Sequence, residues 1–180
     1  FRVEEGIGNA CALIFPDNTL GIVDWGTQNE KAIHDLLVQT EITRVRFVAA
    51  THAHEDHTLG LVHLMKAFLD RRLPIDKFVY PTSTLRNSSR DHLLRAREFA
   101  FDHKIEMYSV SVIREGDKDR PLLLENDEDW EIRVLAPPAS VIAAEELRGY
   151  RANKSPGNLT SLVLLYRSTN DGEDHGRALL

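Results

Sequence analysis

The chain has 180 residues, 42% of them apolar and 28% charged, and a net charge of −6. This is the composition of a soluble, one-domain globular protein long enough to bury a real core. It excludes a global basic field for nucleic acid, and no apolar run nears the roughly 18–20 residues of a membrane span.

In chain order, Ala10–Phe15 and Leu20–Asp24 read as two strands joined by the turn Pro16-Asp17-Asn18. The lone cysteine, Cys11, cannot form an internal disulfide. It is expected to pack as a small apolar side chain in the first strand, and it fits a reducing, cytoplasmic compartment. Thr27 to Glu30 has the pattern of a capping box. The helix after it would bury Ile33, Leu36 and Leu37. Val45–Ala50 is a buried strand, and Thr58–Leu69 a second helix with Leu61, Leu64, Met65 and Phe68 at core spacing. Lys77–Tyr80 is a short strand ending at Pro81, Ser88–His103 a third helix, and Ile105–Val112 alternates as a strand.

Gly116–Arg120 is a charged turn, and Leu122–Glu125 would pair after it. Glu131–Ala136 is a strand stopped by Pro137-Pro138, and Ser140–Arg148 reads as helical. Ser155-Pro156-Gly157 marks a loop before the apolar strand Ser161–Arg167. Thr169–Gly176 is a polar hairpin tip, and Arg177–Leu180 begins the returning strand. There are no repeats and no internal linker. Strands alternating with helices predict an α/β protein, and the paired opening strands argue against a wholly parallel sheet.

Residues 51–57 read Thr-His-Ala-His-Glu-Asp-His. Four potential metal ligands, His52, His54, Asp56 and His57, follow the Val45–Ala50 strand directly, and Gly60 comes soon after. In extended chain, residues two apart point the same way, so His52 and His54 can bind one ion. Asp56 and His57 come as the chain turns toward a helix, so they can reach a second. Imidazole with carboxylate suits zinc, manganese or iron and lacks the thiolates of a structural zinc knuckle. An incomplete protein shell leaves room for water, and two metals about 3.5–4 Å apart could share a hydroxide.

His52-Ala-His54-Glu-Asp56-His57 resembles the H-x-H-x-D-H signature of the metallo-β-lactamase fold hydrolases. Gly6-Ile-Gly8-Asn9-Ala10 with Cys11–Phe15 resembles that family's opening Gly-x-Gly-(Asp/Asn)-Ala strand, and Ile22-Val23-Asp24-Trp25-Gly26 its strand ending in Asp-x-Gly. Gly157-Asn158-Leu159-Thr160-Ser161-Leu162-Val163-Leu164 resembles a segment of the branch that includes the hydrolase domain of bacterial DNA-uptake (competence) channel proteins. The H-x-H-x-D-H motif is highly specific; the glycine motifs count only in order with it.

The resemblance implies an αββα sandwich of mixed sheets flanked by helices, and two divalent ions, zinc or manganese. It makes Asp56 both a ligand of the second metal and the base that holds the water proton. It gives Asp24 the hydrogen bond that orients a ligand histidine; a turn former or helix N-terminal acid is the plainer reading of Asp24. Glu55 points away from its neighbours by alternation and is expected either in solvent or behind a ligand, orienting it. In the family, the strand matching Arg177–Leu180 runs on into Thr-Gly-Asp, whose Asp bridges the metals. The 180 residues are therefore expected to be the N-terminal part of a full domain. Many members carry a third histidine for the first metal. His63, His92, His103 and His175 all look like surface positions, as the DNA-uptake branch, which lacks that histidine, would have it.

The reaction this implies is hydrolysis by a metal-activated water. The branch points to a phosphodiesterase or nuclease acting on DNA or nucleotides. Arg86, Arg90, Arg95, Arg97, Arg148, Arg151 and Lys154 are candidates for phosphate contacts, and ordinary solvated helix charge explains them equally well. Two rivals stand beside it: a hydrolase of a lactone, thioester or β-lactam on the same site, and a non-catalytic docking module with partner subunits in a larger complex.

Overall fold

The computed structural model describes residues 9–39, 41–81, 90–110, 122–126, 130–135, 163–168 and 177–179. It divides into two compact units, Phe1–Ser109 and Val110–Leu180. In the first, the elements are β1 (Ala10–Ile14), β2 (Thr19–Trp25), α1 (Glu30–Gln39), β3 (Arg44–Ala49), α2 (Glu55–Thr58), α3 (Leu61–Asp70), β4 (Ile75–Pro81), α4 (Arg90–Asp102) and β5 (Glu106–Val110). The strands form one sheet in the order β1-β2-β3-β4-β5. β1 runs antiparallel to β2, while β2–β3 and β3–β4 are parallel. This mixed sheet with flanking helices is the α/β layering expected of a metallo-β-lactamase-like fold.

The β1–β2 hairpin turns where Pro16-Asp17-Asn18 placed it. Phe15 and Thr19 pair across it (2.9 Å), and Asn18 takes the left-handed conformation with φ 59°. The parallel strands need crossovers, and α1 and α3 supply them. Helix α1 buries Ala32, Ile33 and Leu36, with Leu37 partly buried against the same core. Its cap differs from the Thr27/Glu30 box. Asn29 accepts the Lys31 N–H at 2.9 Å, and Thr27 accepts the Asn29 N–H at 3.1 Å. The asparagine, one residue before the helix, reaches the free N–H groups of the first turn directly.

The helix expected over Thr58–Leu69 is two pieces, α2 and α3, parted at Leu59 and Gly60. The Gly60 N–H is drawn to the Trp25 carbonyl (2.9 Å), and a Cβ on Gly60 would lie 1.7 Å from the Thr27 carbonyl oxygen. The chain has to pass that close to the end of β2, and one continuous helix could not. The α3 face follows its spacing: Leu61, Leu64, Met65 and Phe68 are all fully buried. They share a core with Leu20, Ile22 and Trp25 of β2, Val48 of β3, Phe78 of β4 and Leu93, Ala96 and Ala100 of α4.

The second unit contains β6 (Leu122–Asn126), β7 (Trp130–Leu135), β8 (Val163–Ser168) and β9 (Arg177–Leu179), antiparallel throughout in that order. Trp130, Ile132 and Val134 are buried and alternate with Glu131 and Arg133, which pair with each other at 2.8 Å. That is the two-residue period of a strand with one buried face.

Several expectations lie outside the described residues: the Gly6/Gly8 pair, Arg86, Gly116–Arg120, Pro137-Pro138, Ser140–Arg148, Arg151, Lys154, Ser155-Pro156-Gly157, Asn158–Ser161 and the Thr169–Gly176 tip with His175. Among the described residues, no helix is long and apolar enough to cross a membrane.

Candidate metal centre

Strand β3 delivers the chain to the site. Its pairing with β4 ends at Ala50, whose N–H bonds the Val79 carbonyl at 2.8 Å. Residues 51–54 then form an irregular loop, and α2 opens at Glu55. The short helix is held from its start, because the His54 carbonyl accepts from the His57 N–H (3.0 Å) and the Thr58 hydroxyl (2.9 Å). The loop is pinned against the end of β2 and the start of β1. The Asn9 N–H bonds the Asp56 carbonyl at 2.7 Å, and Gly26 bonds Asn9 at 3.0 Å. A Cβ on Gly26 would lie 1.7 Å from that same Asp56 oxygen, so only glycine fits there.

Asp24, next to the end of β2, is buried and holds φ at 59°. Asp is among the few residues that tolerate this region, which is uncommon for a side-chain-bearing residue and collects at functional sites. The carboxylate accepts three protons. Its Oδ1 takes the Thr51 N–H (2.7 Å), and its Oδ2 takes the Thr51 hydroxyl (2.8 Å) and His57 Nδ1 (2.7 Å). The hydroxyl of Thr51 also lies 2.9 Å from His52 Nδ1.

These contacts fix two tautomers. Thr51 has one hydroxyl proton and gives it to Asp24, so toward His52 it can offer just a lone pair. His52 Nδ1 therefore carries the proton and His52 Nε2 keeps its lone pair. His57 Nδ1 donates to Asp24, which leaves the His57 Nε2 lone pair outward in the same way. Asp24 thus sets one histidine directly and a second through Thr51. It touches His57 directly, and Thr51, which sequence reasoning did not single out, links it to His52.

The outward atoms fall into two pairs. His52 Nε2 and His54 Nδ1 are 3.0 Å apart; Asp56 Oδ2 and His57 Nε2 are 3.4 Å apart. Ligand bonds of 2.0–2.2 Å at a tetrahedral zinc put neighbouring donor atoms about 3.3 Å apart. Each pair therefore has the spacing of one edge of a cation's shell. Among the described residues, no group of three or more His, Cys, Asp or Glu converges as a metal cluster. The four side chains accordingly stand as two pairs. The rings stand close: His52 lies 4.6 Å from His54 and 3.9 Å from His57, centroid to centroid.

The two buried imidazoles titrate apart. Burial, with the neighbouring His57 and His54, pushes His52 down to about 4. Burial also works to lower His57, but the hydrogen bond and charge of Asp24, with the charge of Asp56, carry it above its ordinary value. His52, so lowered, is held neutral at physiological pH. Cys11, in β1, is pushed up by burial and remains a thiol.

Among the described residues, His63, His92 and His103 stay out of the cluster. His63 is exposed, and His103 is exposed and stacks on Phe99 at 4.0 Å. His92, expected at the surface, is half-buried, with Nε2 3.9 Å from Glu55 Oε1. Glu55 itself is in solvent. A polar cleft of about 370 Å³ runs between α3 and α4, and His63, His92, Arg95, Glu98 and Asp102 are among its lining residues. Arg97 stacks its guanidinium over Tyr80 at 4.7 Å. Asn9 is the second functional residue that sequence reasoning passed over. Its Nδ2 lies 3.3 Å from Asp56 Oδ2 and 3.1 Å from His57 Nε2. Its place in the opening Gly-x-Gly-Asn-Ala motif was the available signal.

No family model matches the chain, and no curated protein matches it. Among solved structures, one described as the crystal structure of BLEG-1 B3 metallo-beta-lactamase is similar over 88% of this chain, with 19% identity and a TM-score of 0.45. The chain spans 61% of that structure's length. So loose a likeness says nothing about activity here.

Proposed function

We propose that this chain is a metal-dependent hydrolase and that its substrate is a phosphodiester, in DNA or a nucleotide. The carrying observation is the pair of outward lone pairs on His52 and His57, fixed by one buried carboxylate, beside His54 and Asp56. Histidines kept merely for packing have no need of a fixed acceptor, whereas metal-ligating histidines almost always donate their other ring N–H to one. His52 and His54 would hold one zinc or manganese ion, and Asp56 and His57 a second. Bound there, the ions would supply Lewis acidity and an activated water.

The chain's own groups do the rest. Asp24 and Thr51 keep the imidazoles turned outward before any ligand arrives. Gly26 and Asn9 seat the Asp56 backbone through close contact, so its carboxylate is presented from a rigid loop. That carboxylate is 39% exposed, open enough to hold a proton of the attacking water. Arg95, exposed in the polar cleft beside His92, is a candidate phosphate contact. The resemblance of the 157–164 segment to the DNA-uptake branch supports the phosphodiester over other esters.

The test is a cleavage assay on linear and circular DNA with the full-length protein, stripped of metal and then given Mn²⁺ or Zn²⁺. Metal-dependent cleavage lost in Asp56→Ala is the expected result. Bound metal without cleavage would move the reading to lactones, thioesters or β-lactams. Absence of both would leave the docking module.

A further inference from the structure

We infer that Asn9 is a built-in competitor for the cation at Asp56 and His57, so that this pair loads only when the Asn9 carboxamide leaves it. The inference rests on the metal-centre reading above and concerns how that centre fills. Asn9 Nδ2 lies 3.1 Å from His57 Nε2 and 3.3 Å from Asp56 Oδ2, and those two atoms are themselves 3.4 Å apart. The amide nitrogen therefore faces both donor atoms at once.

The tautomer makes this a contest. His57 donates through Nδ1 to Asp24, so Nε2 has a single lone pair. The Asn9 N–H uses that lone pair, and a metal ion needs the same one. At the other pair, His52 Nε2 and His54 Nδ1 face each other at 3.0 Å, so with His52 Nε2 unprotonated His54 Nδ1 is the donor there.

Asn9 is well placed to act as a latch. Its backbone is fixed twice, by its N–H on the Asp56 carbonyl (2.7 Å) and by its carbonyl on the Gly26 N–H (3.0 Å). Its side chain is exposed and can swing away without disturbing either bond. Substitution of the side chain leaves the backbone anchor in place, so Asp56 stays seated. A carboxylate at this position would turn the competitor into an added ligand.

The experiment is a zinc titration of the full-length protein by calorimetry, wild type against Asn9→Ala and Asn9→Asp, fitted for two equivalents. Losing two amide hydrogen bonds, one of them to a charged acceptor, corresponds to about tenfold in affinity. The expected result is one of the two equivalents about tenfold tighter in Asn9→Ala and tighter still in Asn9→Asp, with the other unchanged. A merely structural Asn9 would weaken binding on substitution, so both equivalents unchanged or weaker in both variants overturns the inference while leaving the metal centre intact. Zinc binding by none of the three proteins would instead overturn the metal-centre reading on which it rests.

Discussion

Asp24 takes both proton donors of Thr51, the backbone N–H on Oδ1 at 2.7 Å and the hydroxyl on Oδ2 at 2.8 Å. The first bond fixes where the metal loop leaves β3. The second spends the one proton of Thr51 and so dictates which nitrogen of His52 is protonated. A positive-φ carboxylate at the end of one strand thereby sets the ligand chemistry of the loop after the next.

Thr51→Val tests this relay. The variant keeps the shape and the backbone bond but leaves His52 Nδ1–H without its acceptor and Asp24 with one donor fewer. The expected loss is about 1–3 kcal/mol of stability, the cost of unmet buried polar groups. Zinc affinity should fall about 10–100-fold. Thr51→Ser, which restores the hydroxyl, should recover both in urea unfolding and zinc titration. Equal affinity in the valine variant would show that Thr51 does not orient His52.

Gly26→Ala should be more damaging than an exposed glycine substitution. Its Cβ would meet the Asp56 carbonyl oxygen at 1.7 Å and push the metal loop off the end of β2. Overpacking of this kind costs about 1–3 kcal/mol. Thermal unfolding should show a lower Tm, and zinc binding should weaken with it. A Tm equal to wild type would mean that the loop is free to yield.

The paired histidines predict a pH signature in metal-free protein. His52, held down to about 4 against an ordinary 6.5, binds fewer protons folded than unfolded between those values. Its share of stability is therefore present above pH 6.5 and is lost as pH falls toward 4. His57 is raised, so its share is present below pH 6.5 and is lost as pH climbs through its folded value. Imidazole titration by NMR should find His52 neutral down to about pH 4 and His57 protonating above its ordinary value. In Asp24→Asn, His57 should fall. Two histidines titrating together near 6.5 would contradict the geometry.

Much of this was legible in the residues because the relevant signals are local. The α3 stripe of Leu61, Leu64, Met65 and Phe68 declares a buried helix face by spacing alone, and all four are fully buried. The nearness of His52 and His54 follows from the two-residue alternation of extended chain, and that of Asp56 and His57 from the turn into α2. What was not legible depends on approach between distant segments. The break at Gly60 comes from the nearness of Trp25 and Thr27, and the Asn9 amide reaches residues 47 and 48 positions away. The α1 cap went to Asn29 over Thr27 because the two are two residues apart and both capable, and their hydrogen bonds alone decide between them.

The most direct test is the metal content of the full-length protein by mass spectrometry after equilibration with Zn²⁺ or Mn²⁺, in wild type and His54→Ala. The account predicts bound metal in wild type, at least one ion per chain, and its loss from the His52/His54 pair in the variant with the fold retained. Metal-free wild type, or a His54→Ala protein holding the same metal, would contradict it.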